Sequence, residues 1–388
     1  MAKKLNIAVV GGGFMGKAHS NAWKTAGKFF EMEYEPVLKV SVDSNEAVKG
    51  FADHWGYEEF STKFDEVIAR KDIDVVDICT PTFTHKELAV KAANAGKHVF
   101  CEKPCAITYA EAKEMLEAAK KAGVVHYLNH NYRRVPAVAY AKQMIEEGKL
   151  GTIYHWKGAY LQDWIMDPNF PLTWHLKEET AGGGPLWDLN SHSMDLARFL
   201  VGEVESLSAI NKTFITERPI PGGSTSTFGA VEKETTSKGK VTVDDASFLL
   251  LNFENGALGS QEGSRFACGR KNYNTFEIYG SKGAVSFNFE RMNELQYLDF
   301  TQKATEQGFK TIMVTEYAHP YCKAWWAPGH IIGYENTFVH AVADFTDAVT
   351  KGTSVSPNFE DGVKNIQILE AAKLSSAKKQ VVKVSDIK

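Results

Sequence analysis

The sequence predicts an α/β protein in two parts. The N-terminal part is a parallel sheet with helices on both faces, and the C-terminal part is α+β with a large open, mostly antiparallel sheet. Three observations predict this. Residues 1–128 alternate short apolar strand runs with helical repeats, and the first run ends in glycines spaced G-x-G-x-x-G (Gly11, Gly13, Gly16). Beyond residue 129 the apolar runs lengthen and come in hairpin pairs, around Asn255-Gly256 and around residues 280–283. A chain of 388 residues that is 44% hydrophobic can fill two cores. The expected domains are therefore 1–128 and 129–388.

Residues 5–10 read as a buried strand. Gly11 allows the tight turn that follows, Gly13 lets backbone approach a pyrophosphate, and Gly16 lets the next helix pack closely on the sheet. Phe14 and Met15 open that helix, whose first N–H groups favour phosphate. This is the order of a Rossmann dinucleotide-binding unit. Residues 36–42 form the second strand, and residues 28–35 read as an extra stretch before it. Asp43 ends that strand, where its carboxylate can accept from the adenosine ribose hydroxyls and oppose a 2′-phosphate. No Arg or Lys follows at once, so NAD is expected rather than NADP. Residues 45–54 are helical in pattern, 74–79 form a strand, and 85–95 form a helix closed by Gly96. Residues 98–101 are the next strand. Thr108 and Glu111 make a capping box for a helix to Ala122, and residues 124–128 supply the last strand.

In the second part a helix is expected over 136–147. Asn255-Gly256 suits a type I′ hairpin turn between 248–253 and 257–260. A second hairpin joins 276–279 to 284–287. Residues 219–240, rich in Pro, Gly, Ser and Thr, read as an extended loop, and 336–349 as a helix. The net charge of −4 supplies no basic field for nucleic acid. No apolar run of about 18 residues could span a bilayer, and no leader precedes the first strand. Five cysteines without C-x-x-C spacing read as reduced thiols. The expectation is a cytoplasmic chain with no nucleic-acid or membrane partner and no metal.

Three segments carry candidate chemistry. Thr80, Pro81 and His85 follow the strand 74–79, at the sheet edge where a nucleotide ribose lies. Glu102-Lys103-Pro104 ends the next strand, where a lysine could hold a substrate hydroxyl and stabilise alkoxide charge. In 182–195, three glycines read as a flexible loop feeding a helix that carries Asp188 and His192 on one face. A carboxylate one turn from an imidazole suits acid/base work. Taken singly, each has a plain structural reading, such as a solvated lysine or a surface i,i+4 pair.

Together these segments resemble the Gfo/Idh/MocA family of NAD(P)-dependent oxidoreductases: G-x-G-x-x-G, T-P-x-x-x-H at 80–85, E-K-P at 102–104 and D-x-x-x-H at 188–192. The hairpin at 278–284 also looks like the family's second domain. The resemblance implies that Lys103 orients substrate and stabilises charge. It also implies that His192, paired with Asp188, takes the hydroxyl proton while hydride leaves the same carbon for NAD. It places Gly11, Gly13, Phe14, Met15, Gly16, Asp43, Thr80, Pro81, His85, Glu102, Lys103 and Asn131 at the cofactor. Asn131 or Arg133 would lie near nicotinamide or substrate, with Tyr132 beside them. The segment 325–335 resembles members acting on sugars and cyclic polyols, including levoglucosan, glucoside and inositol dehydrogenases. Aromatic faces there would pack on sugar C–H surfaces while His330 bonds hydroxyls. Gln162, Trp164, Trp174 and His175 form a second aromatic and polar cluster. The expected activity is oxidation of a ring secondary hydroxyl, at C3, of a pyranose, glycoside or anhydrosugar such as levoglucosan. Inositol 2-dehydrogenation, or a catalytically silent nucleotide sensor on the same fold, stands as the alternative. A homodimer or homotetramer is expected.

Overall fold

The computed structural model describes residues 3–223 and 237–388. They divide into two compact units, 3–134 with Ile332–Ile366, and Val135–Ile331 with Gln367–Lys388.

In the first unit, strand β1 (Lys3–Val10) leads into helix α1 (Phe14–Phe29), and β2 (Tyr34–Val42) follows after four residues. Half of the stretch 28–35, expected as an insertion, is therefore the end of α1 and the start of β2. Lys28 and Phe29 lie in the last turn of the helix, where a lysine suits the negative end of the helix dipole. Next come α2 (Val48–Trp55), β3 (Glu59–Ser61), α3 (Phe64–Ile68), β4 (Val75–Ile78), α4 (His85–Asn94), β5 (His98–Glu102), α5 (Tyr109–Ala122) and β6 (His126–Asn129). All six strands are parallel, in the order β3-β2-β1-β4-β5-β6. The order reverses between β1 and β4, the switch point where ligands of such sheets bind. The Thr108–Glu111 capping box is present, and Gly123 ends α5 in the left-handed region.

The second unit begins with α6 (Pro136–Glu146) and β7 (Ile153–Leu161). Three short helices follow, α7 (Glu178–Ala181), α8 (Pro185–Asp188) and α9 (Asn190–Leu200). The strands β8 (Val204–Lys212), β9 (Glu217–Pro219), β10 (Lys238–Lys240), β11 (Ala246–Phe253), β12 (Leu258–Ser264), β13 (Tyr273–Gly280), β14 (Gly283–Asn288), β15 (Glu294–Asp299) and β16 (Lys310–Met313) come next. The ends of the expected 219–240 loop pair with each other or with Glu217 and Arg218 as the β9–β10 ribbon, and residues 224–236 lie outside the described residues. Between β11 and β12 the expected type I′ turn is not formed. Four residues separate the strands, Gly256 alone among them takes a positive φ, and the Asn255 side chain instead accepts from the Ala257 N–H.

Helices α10 (Tyr334–Lys351) and α11 (Phe359–Lys378) and strand β17 (Val382–Lys383) complete the chain. The large sheet has nine strands, β16-β15-β14-β13-β7-β12-β11-β8-β17, antiparallel except where β12 meets β7. Along β11 the burial alternates: Leu249, Leu251 and Phe253 are buried while Phe248 and Leu250 are exposed. α10 belongs with the first unit, contrary to a single cut at residue 128. Its Phe345 ring lies 5.2 Å from Phe100 and 6.0 Å from Trp23, and Phe338 lies 5.5 Å from His19. An amphipathic pattern shows that a helix has an apolar face, not which sheet that face covers.

Candidate active site

The glycine turn divides its labour as the spacing implies. Gly11 holds φ +102, and a Cβ on Gly16 would lie 2.1 Å from the Gly11 carbonyl oxygen. A Cβ on Gly13 would meet nothing within 4 Å, so the space at the start of α1 is open. Asp43 sits beside this turn, where its carboxylate accepts from the Gly12 N–H at 2.9 Å and the Ser44 N–H at 2.6 Å. A fixed carboxylate, an open helix start and a close-packed glycine together suit a dinucleotide. Phe14 is half exposed, its ring stacked 6.4 Å from Tyr334, and Met15 is partly buried.

Thr80 and Pro81 follow β4 and are partly exposed, with Thr80 Oγ1 2.6 Å from Thr84 Oγ1. His85 faces inward. It is buried, and its ring nitrogens lie 2.8 Å from the Thr80 carbonyl and 2.9 Å from the Pro104 carbonyl. Burial lowers its pKa. It ties the loop after β4 to the loop after β5.

Glu102 also turns inward. Its carboxylate accepts from Asn129 at 2.7 Å, contacts His19 Nε2 at 2.8 Å and holds the Lys103 N–H at 3.1 Å. The other His19 nitrogen lies 2.9 Å from Asp77, whose second oxygen accepts from the Trp23 indole at 2.7 Å. Burial opposes a charge on His19, but the Asp77 carboxylate outweighs it and holds the imidazole pKa well above its usual value. Burial would raise Glu102, yet the His19 hydrogen bond keeps it below the usual carboxylate value. An imidazolium thus sits between two buried carboxylates beneath the E-K-P segment. Cys79 comes near enough to His19 and Asp77 for the three to resemble metal ligands. Its thiol is pushed up by burial, so it stays protonated, and the other two groups bond each other.

Asn131, Tyr132 and Arg133 are all buried in the same unit. Asn131 donates to Thr337 Oγ1 at 2.8 Å, and Arg133 donates to Ser356 Oγ at 2.7 Å and pairs with Asp361 at 3.1 Å. Arg133 thereby anchors the returning segment 332–366.

In the second unit the three glycines are packed, not flexible. A Cβ on Gly184 would fall 1.8 Å from the Asp244 carbonyl oxygen. The Asp244 carboxylate accepts from the Gly184 and Leu186 N–H groups at 2.8 and 2.9 Å, fixing the start of α8. The helix expected through Asp188 and His192 is interrupted at Leu189. Ser191 Oγ takes the Asp188 carbonyl at 3.2 Å, while the His192 N–H reaches back only three residues, to Leu189. His192 is buried, with the Tyr160 ring 5.9 Å away. Asp188 pairs with Arg265 at 2.8 Å, a partner that sequence reading missed. Trp164 donates to Gln162 Oε1 at 2.8 Å, and Trp174 stacks on His175 with ring centres 3.8 Å apart. His330 is exposed, its Nδ1 2.9 Å from the Ala327 carbonyl.

Residues 5–130 match the family described as an oxidoreductase family with an NAD-binding Rossmann fold, and residues 138–286 match the GFO/IDH/MocA C-terminal domain. Levoglucosan dehydrogenase of Pseudarthrobacter phenanthrenivorans is 44% identical over 388 residues, covering 99% of each chain. The chain belongs to the Gfo/Idh/MocA family. Myo-inositol 2-dehydrogenase of Thermotoga maritima is 27% identical over 99% of each chain. A solved levoglucosan dehydrogenase, in complex with NADH and levoglucosan, superposes with a TM-score of 0.92 at 43% identity, over 98% of this chain and 99% of that one. This family member is an oxidoreductase with NAD as its cofactor. Among the described residues no helix is long and apolar enough to cross a membrane.

Asp43→Ser is expected to narrow the NAD/NADP preference in kcat/KM by about tenfold or more, about 1.4 kcal/mol. Steady-state kinetics with both cofactors checks this, and an unchanged ratio removes Asp43 from the ribose site.

Proposed function

We propose that the protein oxidises a ring secondary hydroxyl, at C3, of a pyranose, glycoside or anhydrosugar such as levoglucosan, giving the keto sugar. The observation that carries this reading is the end-to-end likeness, at 44% identity, to levoglucosan dehydrogenase. The stacked Trp174–His175 pair and Trp164 add flat faces suited to sugar C–H surfaces. Gln162 sits among them with amide groups for hydroxyls. Lys103 holds the substrate hydroxyl and offsets charge as the proton leaves. His192, as neutral imidazole, accepts that proton, and Asp188 stays ionised. NAD, when bound, takes the hydride from the same carbon. Phe14, Met15, Thr80 and Pro81 border the dinucleotide, and Asn131, Tyr132, Trp174 and His330 contribute to the ligand sites.

A panel of sugars and inositols tests the reading, with NADH absorbance as the readout. Levoglucosan or a related pyranoside should give the highest kcat/KM. An inositol in first place would favour the alternative that the 27% likeness to myo-inositol 2-dehydrogenase supports. No turnover on any of them would favour a nucleotide sensor.

The exposed face of the nine-stranded sheet carries Phe248 directly opposite Ile210, with Leu250 and Leu258 nearby. Apolar patches of this kind are uncommon on monomers. The protein is expected to sediment as a dimer or tetramer at micromolar concentration, and a monomer alone would contradict this. All five cysteines are free, in keeping with action in a reducing, cytoplasmic setting.

A further inference from the structure

Arg265 lies one residue past β12 and is 1% exposed. Burying a guanidinium costs stability unless its N–H groups are matched. Here the match is uneven. Nη2 donates to Asp188 Oδ2 at 2.8 Å, and Nη1 reaches the His175 carbonyl only at 3.5 Å. Nε has no hydrogen-bond partner among the described residues. Arg218 is equally buried in the same unit and its Nε likewise has no hydrogen-bond partner among the described residues, so the two differ in what their Nη groups meet. Arg218 donates to the backbone carbonyls of Asp167 and Ile165 at 2.7 and 2.6 Å. Arg265 is aimed at the carboxylate of D-x-x-x-H instead.

Both partners of the ion pair are anchored by one dipeptide. The Asp244 carboxylate holds the first N–H groups of α8, which ends at Asp188, and the Asp245 carbonyl accepts the Arg265 N–H at 3.2 Å. The guanidinium also lies 5.2 Å over the Trp164 ring. From Trp164 a hydrogen-bonded chain returns toward the histidine. The indole donates to Gln162, Gln162 donates to Asn272 at 3.2 Å, and Tyr160 donates to Asn272 at 2.6 Å. Tyr160 is the ring beside His192. One network therefore braces Asp188, His192 and the aromatic cluster. Asp188, at 30% exposure, is its open end, with the guanidinium sealed behind it.

We propose that Arg265 is a positioning residue. It keeps Asp188 ionised and turned in one direction, so that an anion stands near His192 when that ring takes the substrate proton. This rests on the roles given above to Asp188 and His192.

A double-mutant cycle in levoglucosan oxidation tests it, with Arg265→Met, Asp188→Asn and the pair together. Arg265→Met should lower kcat by about tenfold or more with KM within about threefold, and NADH binding by fluorescence should hold. Because Arg265 acts through Asp188, the double variant should turn over within about twofold of Asp188→Asn alone. Losses that multiply, or an Arg265→Met kcat like wild type, overturn the proposal. If Asp188→Asn and His192→Ala both lose turnover while Arg265→Met does not, this proposal alone falls. If Asp188→Asn turns over like wild type, the role of the pair falls, and the proposal with it. Should Arg265→Met not fold, the cycle with Arg265→Lys is read in the same way.

Discussion

His192→Ala is expected to lower kcat by roughly 10²- to 10⁴-fold, the usual worth of a positioned general base. The imidazole is buried in α9, beside Tyr160, so alanine removes the base without exposing new surface. Only neutral imidazole can accept a proton, so wild-type oxidation should rise with pH through one ionisation, and the variant should lose that step. NADH affinity should hardly change, because the histidine is assigned to substrate. Lys103→Ala should be comparably damaging, through lost stabilisation of alkoxide charge. Turnover of His192→Ala near wild type would mean that the proton leaves by another route.

His19→Leu is expected to cost about 3–5 kcal/mol of folding stability, the range for removing one partner of a buried ion pair. It would leave Asp77, which is fully buried, and Glu102, 4% exposed, without their cation. The sign of the pH dependence follows from the two shifts. Glu102 is held below its usual pKa, so its contribution is present above the unfolded value and lost as pH falls through the folded one. His19 is held above its usual pKa, so its contribution is full below the unfolded value and lost as pH rises through the folded one. Wild type should gain most between those limits, around neutrality. The deficit of His19→Leu should be largest there and shrink in acid, where the stranded carboxylates take up protons. Urea midpoints at neutral and acid pH check this, and a neutral-pH difference below about 1 kcal/mol would show that the network carries little.

What the sequence revealed and what it hid follow the range of the interactions. The β1–glycine–α1 turn, the Thr108 capping box and the hairpin at 280–283 are local, so residue type and spacing were enough. The loop at Gly256 escaped, because the Asn255 side chain accepts from the Ala257 N–H and competes with a type I′ turn. The return of 332–366 escaped for a different reason. Phe338 and Phe345 fit any apolar groove, and only the assembled unit brings Phe100 of β5 together with Trp23 and His19 of α1. The bonds that His85, Glu102 and Arg133 make within their unit were hidden as well, because Pro104, His19 and Ser356 lie 19, 83 and 223 residues away from them. Asp77 did leave a signal. A carboxylate between Val76 and Ile78 in a buried strand demands a partner, and His19 stands three residues past Gly16 on the inner face of α1. Arg265 left none, since 77 residues separate it from Asp188.

The central claim is hydride transfer from one ring carbon to NAD, and levoglucosan deuterated at C3 tests it most directly. The account predicts that the label appears in NADH and that the keto sugar has lost it. NADH without label, formed while the sugar keeps its deuterium, would contradict the account.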